Sequence, residues 1–214
     1  MNRSYQTVED PRLFALKAFQ AQRLEVSYQD LAQQPQYKAA CHFFFNRLYS
    51  TEDTAERDQS FKKVHVHVKR WLGGDVARSM DKLIELQDIT LEMDNAMLLN
   101  LEKQGAPIDF DDETYESCYL LCNNYNLRVL QIVLLEYTMR LVHRISHRFG
   151  IGAVLNGLHA GCVLIGDTRM VDFLSDGYKA FRDQDSIEPL ATAMVFRETQ
   201  RLNRIYGHAF EETW

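Results

Sequence analysis

The sequence predicts an all-α protein, and three observations carry that prediction. Leu127 to Val142 reads LRVLQIVLLEYTMRLV; eleven of these sixteen residues are apolar and spread almost all the way round a helix, which must then be enclosed by others. The one stretch that alternates like a strand, Lys63 to Val68, has no second strand candidate to pair with, and Phe61, Val64, Val68, Trp71 and Leu72 also fit helical spacing. The four prolines and ten glycines fall mostly between periodic segments, where they act as punctuation. The expected architecture is a single-domain bundle of about eight or nine helices around a central apolar helix, with a helical core over 11–206 and tails at 1–10 and 207–214.

Asp10 before Pro11 is an N-cap with proline at the first helical position, and apolar spacing from Leu13 to Leu31 predicts a helix over 11–33, stopped by Pro35. A second helix spans 36–49 and carries Tyr37, Cys41, Phe44, Phe45 and Leu48. Asp53 with Glu56 forms a capping box for a third, which Gly73-Gly74 ends. Asp75 caps the longest helix, 75–103, with Gly105 at its C′ position. After a loop at 106–111 the helical pattern runs from Asp112 to Phe149, broken near Asn123-Asn124, whose side chains compete for backbone hydrogen bonds. Helices over 151–165, 168–182 and 186–206 follow, the last capped by Ser186, with Pro189 in its first turn and Gly207 closing it.

Composition narrows the function classes. With 24 basic against 30 acidic residues the net charge is −6, which removes the positive field that whole-surface nucleic-acid binding needs. The central apolar segment, interrupted by Arg128, Gln131, Glu136 and Arg140, falls short of the roughly 20 apolar residues that a membrane span requires. The first fourteen residues lack the features of a secretory signal, so the expected location is the cytoplasm. Cys41, Cys118, Cys122 and Cys162 form no CxxC pair and lie among apolar neighbours, as buried reduced thiols do.

Phe43 to Tyr49, FFFNRLY, follows Ala39-Ala40 and precedes an acidic turn and Arg57-Asp58. It resembles the signature of the bacterial FFLEELY-motif proteins, keeping Phe43, Phe44, Leu48 and Tyr49, with Phe45, Asn46 and Arg47 in place of a leucine and two glutamates. Leu91 to Met97, Gly150-Ile151-Gly152 and Phe181-Arg182 extend the resemblance over about residues 14 to 200. The resemblance implies a helical fold in the bacterial cytoplasm and transfers no active site. Acid chemistry at the two motif glutamates could not operate in this chain.

Five residues stand out as binding candidates: Asp94, Tyr49, Gly157, His159 and Gly161. Val76, Met80, Leu83, Leu91, Leu98 and Leu101 share one arc of the 75–103 helix, and Gln87 and Asp94 fall at its centre. A buried carboxylate there needs an arginine, histidine, tyrosine or helix N-terminus, and serves either a structural polar network or a ligand in an internal cleft. FFFNRLY reads as core aromatics or, if Phe43 is exposed, as a binding groove that includes Tyr49. Ala153, Gly157, Ala160 and Gly161 form a flat strip for close helix packing, a subunit contact or a cavity beside His159 and Asn156.

Glu136, His143 and His147 share a ridge, but Arg140, Arg144 and Arg148 repel a cation; the ridge reads as a solvated, basic helix end that complements the macrodipole, with an anion as the alternative guest. Lys62, Lys63, Lys69 and Arg70 form a second basic patch, while His65 and His67 point too far apart to chelate together. No nucleotide loop, nucleophile elbow or zinc motif is legible, and no metal or cofactor is expected. The leading functional expectation is a non-enzymatic helical interaction or regulatory protein, with a homodimer or another protein as partner. A binder of a hydrophobic small molecule, held between the 127–149 helix and the small-residue strip, is the alternative. A metal or haem enzyme built on the histidines, His159 included as an axial ligand, has the least support.

Overall fold

The computed structural model describes the backbone of residues 11–45, 74–165 and 168–208, and the side chains of 11–45, 81–163, 168 and 171–208. Among these residues are nine α-helices and no strand: α1 (Pro11–Ser27), α2 (Gln29–Ala32), α3 (Pro35–Phe43), α4 (Gly74–Lys103), α5 (Asp112–Leu121), α6 (Tyr125–Ser146), α7 (Ile151–Ile165), α8 (Arg169–Phe181) and α9 (Glu188–Tyr206). The third expected helix, its capping box, Tyr49, the lysine-rich patch, His65 and His67 lie outside the described residues.

Several boundaries follow from local chemistry. α5 is capped by Asp111, whose side chain accepts from the Thr114 amide at 2.9 Å. The break expected at the asparagine pair is present: Asn123 sits at φ 47°, a left-handed conformation that asparagine tolerates better than most residues. α4 closes on Gly105 at φ 63°, where the Ala106 amide reaches back to the Leu101 carbonyl at 2.9 Å. α9 starts at Glu188 with Ile187 at its N-cap position and no side-chain cap, which corrects the expected Ser186 cap; the Ser186 hydroxyl accepts from the Glu188 amide at 3.2 Å from one residue further out. The helix expected over 11–33 instead divides at Tyr28, with φ −120° and ψ 14°. The Tyr28 hydroxyl bonds Glu198 on α9 at 2.9 Å, a tertiary anchor at the point where the single helix gives way to two.

α6 packs against α4, α8 and α9. It is not enclosed on every side, which corrects the sequence expectation. Val129, Leu130, Val133 and Tyr137 form an exposed stripe, with Val133 49% accessible, because its three main neighbours cover the remaining arc and leave one face to solvent.

The core has two parts. Phe43, Phe44 and Phe45 meet Phe173, Phe181, Leu134, Leu135, Met139 and Met194 in the larger. Phe43 is 6% exposed, so Phe43, Phe44 and Phe45 belong to the core. Leu16, Met97, Leu101, Phe110, Tyr115 and Cys118 form the smaller, between α1, α4 and α5. Cys41, Cys118 and Cys162 are buried, Cys122 is half-buried, and none of the four is in a disulfide.

Candidate functional site

Between the two parts of the core lies a partly enclosed polar cavity of about 50 Å³, walled by residues of α1, α4, α5, α6 and α9. Water needs roughly 10–15 Å³ of such space, so the cavity has room for about three to five waters. Four of the five walls are helices whose apolar face carries a polar residue. On α1, Gln20 is buried with Leu16 and Leu24. On α4, Asp94 is buried beside Met93 and Met97, and on α6 Arg128 is buried in line with Leu135 and Met139. On α9, Glu198 and Arg201 fall within the arc marked by Leu190, Ala191, Met194 and Leu202.

These groups are joined in pairs. Gln20 donates from Nε2 to Asp94 Oδ1 at 3.0 Å. Arg23 holds Glu198 through both of its terminal nitrogens, each at 3.1 Å, and the Tyr28 hydroxyl adds a third bond to that carboxylate. Arg201 bonds Glu116 at 3.2 Å, and Gln131 donates to the Thr90 hydroxyl at 2.9 Å. Arg128 lies with its guanidinium 4.0 Å from the centre of the Tyr119 ring and donates from Nε to Asn124 Oδ1 at 3.3 Å. Its Nη2 has no hydrogen-bond partner, and Arg128 forms no ion pair among the described residues.

The electrostatics differ between the two carboxylates. Burial pushes the Asp94 carboxyl above its usual range, against the Gln20 hydrogen bond and the charges of Lys17 and Arg128, so its neutral form is favoured. Burial opposes ionisation of Glu198 as well, but the charge and hydrogen bonds of Arg23, with those of Tyr28 and Arg201, hold it below the usual range. Burial, then the neighbouring charge of Arg23, pulls Arg201 below the ordinary arginine value.

A family model matches residues 2–211, nearly the whole chain. The chain belongs to the family described as a domain of unknown function (DUF8198). Comparison with curated proteins and with solved structures found no match.

In this DUF8198 chain the structure separates the residues that the sequence singled out. Among the described candidates Asp94 alone reaches the cavity, and its direct partner is a glutamine amide where an arginine, histidine, tyrosine or helix N-terminus was expected. The buried arc of α4, with Leu86, Met93, Met97 and Leu101, is turned by about 60° from the expected one, which places Asp94 at its flank. Gly157 and Gly161 are exposed, and a Cβ at either would meet open space. The close approach instead occurs at Gly177 on α8, where a Cβ would stand 3.2 Å from the Phe43 ring. His159 is half exposed and reaches Asp172 on α8 at 3.2 Å. Arg140 is paired with both Glu136 and Glu188, while Arg144 and Arg148 are exposed. His143 and His147 are committed to the backbone carbonyls of Gln184 and His143, at 2.9 and 2.8 Å. No group of three or more metal-ligating side chains exists among the described residues.

Gln20, Arg23, Arg128, Glu198 and Arg201 were not read as a site from the sequence. Their signal is a polar residue on the apolar face of each of three further helices, the same signal that marked Asp94.

Proposed function

We propose that the protein is a non-enzymatic regulatory protein of the bacterial cytoplasm, of the FFLEELY-motif kind, that holds a small polar ligand in the cavity beside Asp94. The reading is supported above all by the cost of that cavity. Gathering Arg23, Arg128, Arg201, Asp94 and Glu198 inside a fold otherwise filled with leucine, methionine and phenylalanine is less stable than filling the space with apolar side chains. A ligand that completes the network recovers that cost, and couples occupancy to the packing of five helices. The pairing favours holding over catalysis, since a carboxylate with hydrogen bonds from Arg23 and Tyr28 and an ion pair with Arg23, as at Glu198, is a weak base.

Native mass spectrometry of freshly purified protein is expected to show a small adduct, and its removal by dialysis to lower the melting temperature. A clean mass, and a melting temperature unchanged by any polar metabolite pool, would defeat this reading. The hydrophobic-ligand alternative rests on a second cavity of about 30 Å³ lined by Leu24, Phe44, Phe45, Met139 and Met194. An adduct that survives dialysis but extracts into organic solvent would favour it instead.

A further inference from the structure

Resting on that reading, we infer that the cavity ligand is a small oxyanion, phosphate, sulfate or a compact carboxylate, bound by the guanidinium of Arg128. Three arginines face the cavity, and two of them already have carboxylates: Arg23 holds Glu198, and Arg201 holds Glu116. Arg128 has none. It is 5% exposed, and its Nη2 is an orphaned donor on a buried cation, a state that costs several kcal/mol unless an acceptor is supplied. Asp94 acts on it electrostatically without pairing, and burial raises that carboxyl above its usual range, which weakens it as a counter-charge for Arg128. Glu198, the remaining negative group in the wall, is already balanced by Arg23.

Size agrees with charge. A space for about three to five waters takes a tetrahedral oxyanion of five heavy atoms or a short carboxylate, and excludes a nucleotide. A planar guanidinium recognises such an oxyanion through paired N–H donors, and the low dielectric of the site strengthens the contact.

Isothermal titration of the full chain with inorganic phosphate, sulfate and acetate, in chloride buffer near pH 7, tests the inference. At least one is expected to bind saturably at one per chain, with affinity falling about tenfold or more in Arg128→Met and recovering in part in Arg128→Lys. Asp94→Asn is expected to bind the same anion as tightly as the native chain or more so. No saturable binding of any of the three up to about 10 mM overturns the inference. So does binding that survives Arg128→Met but is lost in Arg144→Gln with Arg148→Gln, which would place the anion on the exposed ridge. Should Arg128→Met fail to fold, Arg128→Lys and Asp94→Asn decide, and anion binding weakened by Asp94→Asn but indifferent to Arg128→Lys overturns it. A neutral molecule found by native mass spectrometry, with no oxyanion bound, sinks this inference and leaves the proposed function standing; no ligand of any class sinks both.

Discussion

Asp94 and Gly157 each interrupt the pattern of an apolar helix, and they end in opposite environments. Asp94 is buried, hydrogen-bonded to Gln20 and surrounded by charges from three other helices, whereas Gly157 and its neighbour Gly161 face solvent with nothing near enough to pack on them. The difference lies in what each signal constrains. A carboxylate flanked by Met93 and Met97 goes wherever those side chains go, so its burial follows from its neighbours and its partner must then exist. A strip of small residues permits a close approach without demanding one, and α7 rests on α8 through other positions, Gly152 against Tyr178 among them.

The contrast is open to breaking. Glu198→Ala should be the most damaging change, costing about 3 kcal/mol and roughly 10 °C in melting temperature, because it takes from the half-buried Arg23 the carboxylate that it holds. A loss below about 1 kcal/mol would mean that the cavity charges are well hydrated, and the two regions would then differ little. Gly177→Ala should follow, at about 1–2 kcal/mol by chemical denaturation, since the new methyl meets the Phe43 ring.

Asp94→Asn should stabilise the chain at neutral pH by about 2–4 °C, the size of a 1 kcal/mol effect at this length. The sign follows from burial. The folded chain raises Asp94 above the unfolded value of 3.8, so the contribution of its carboxyl is fullest below that value and is lost as pH rises through the raised one. The advantage of asparagine should therefore vanish toward pH 3, and thermal melts showing the same gain at pH 3 and pH 7 would refute the assignment. Gly157→Ala and Gly161→Ala should give the smallest effects, each a gain of about 0.5–1 kcal/mol from reduced freedom of the unfolded chain. A loss in their place, growing with protein concentration, would reveal the strip as a contact between two copies.

Much of the fold was legible because its signals are local. The Asn123 break and the Gly105 stop each depend on one residue's backbone preference, and each is present. The division at Tyr28 was hidden, since it coincides with a bond to Glu198, 170 residues away in sequence. The exposed stripe of α6 was hidden for a related reason: an apolar composition says which faces can be covered, and only the number of neighbours says which are. Of the site, Asp94 was found by periodicity, but the arc around it was misplaced because Leu83, Leu91 and Leu98 lie at the margins while methionines fill the centre. Arg128 was noticed only as an interruption of α6, because nothing local shows that it stacks on Tyr119.

That stacked tyrosine gives the chain a natural optical marker. Burial, only partly offset by the neighbouring guanidinium, keeps the Tyr119 phenol from ionising long after a solvated tyrosine would have become phenolate. Its contribution to folding persists below the ordinary phenol range and is surrendered as alkali becomes strong enough to ionise it in place. Phenolate absorbance during a base titration would therefore carry a late component from Tyr119, well above the range of a solvated phenol, reporting the moment at which the wall of the cavity comes apart.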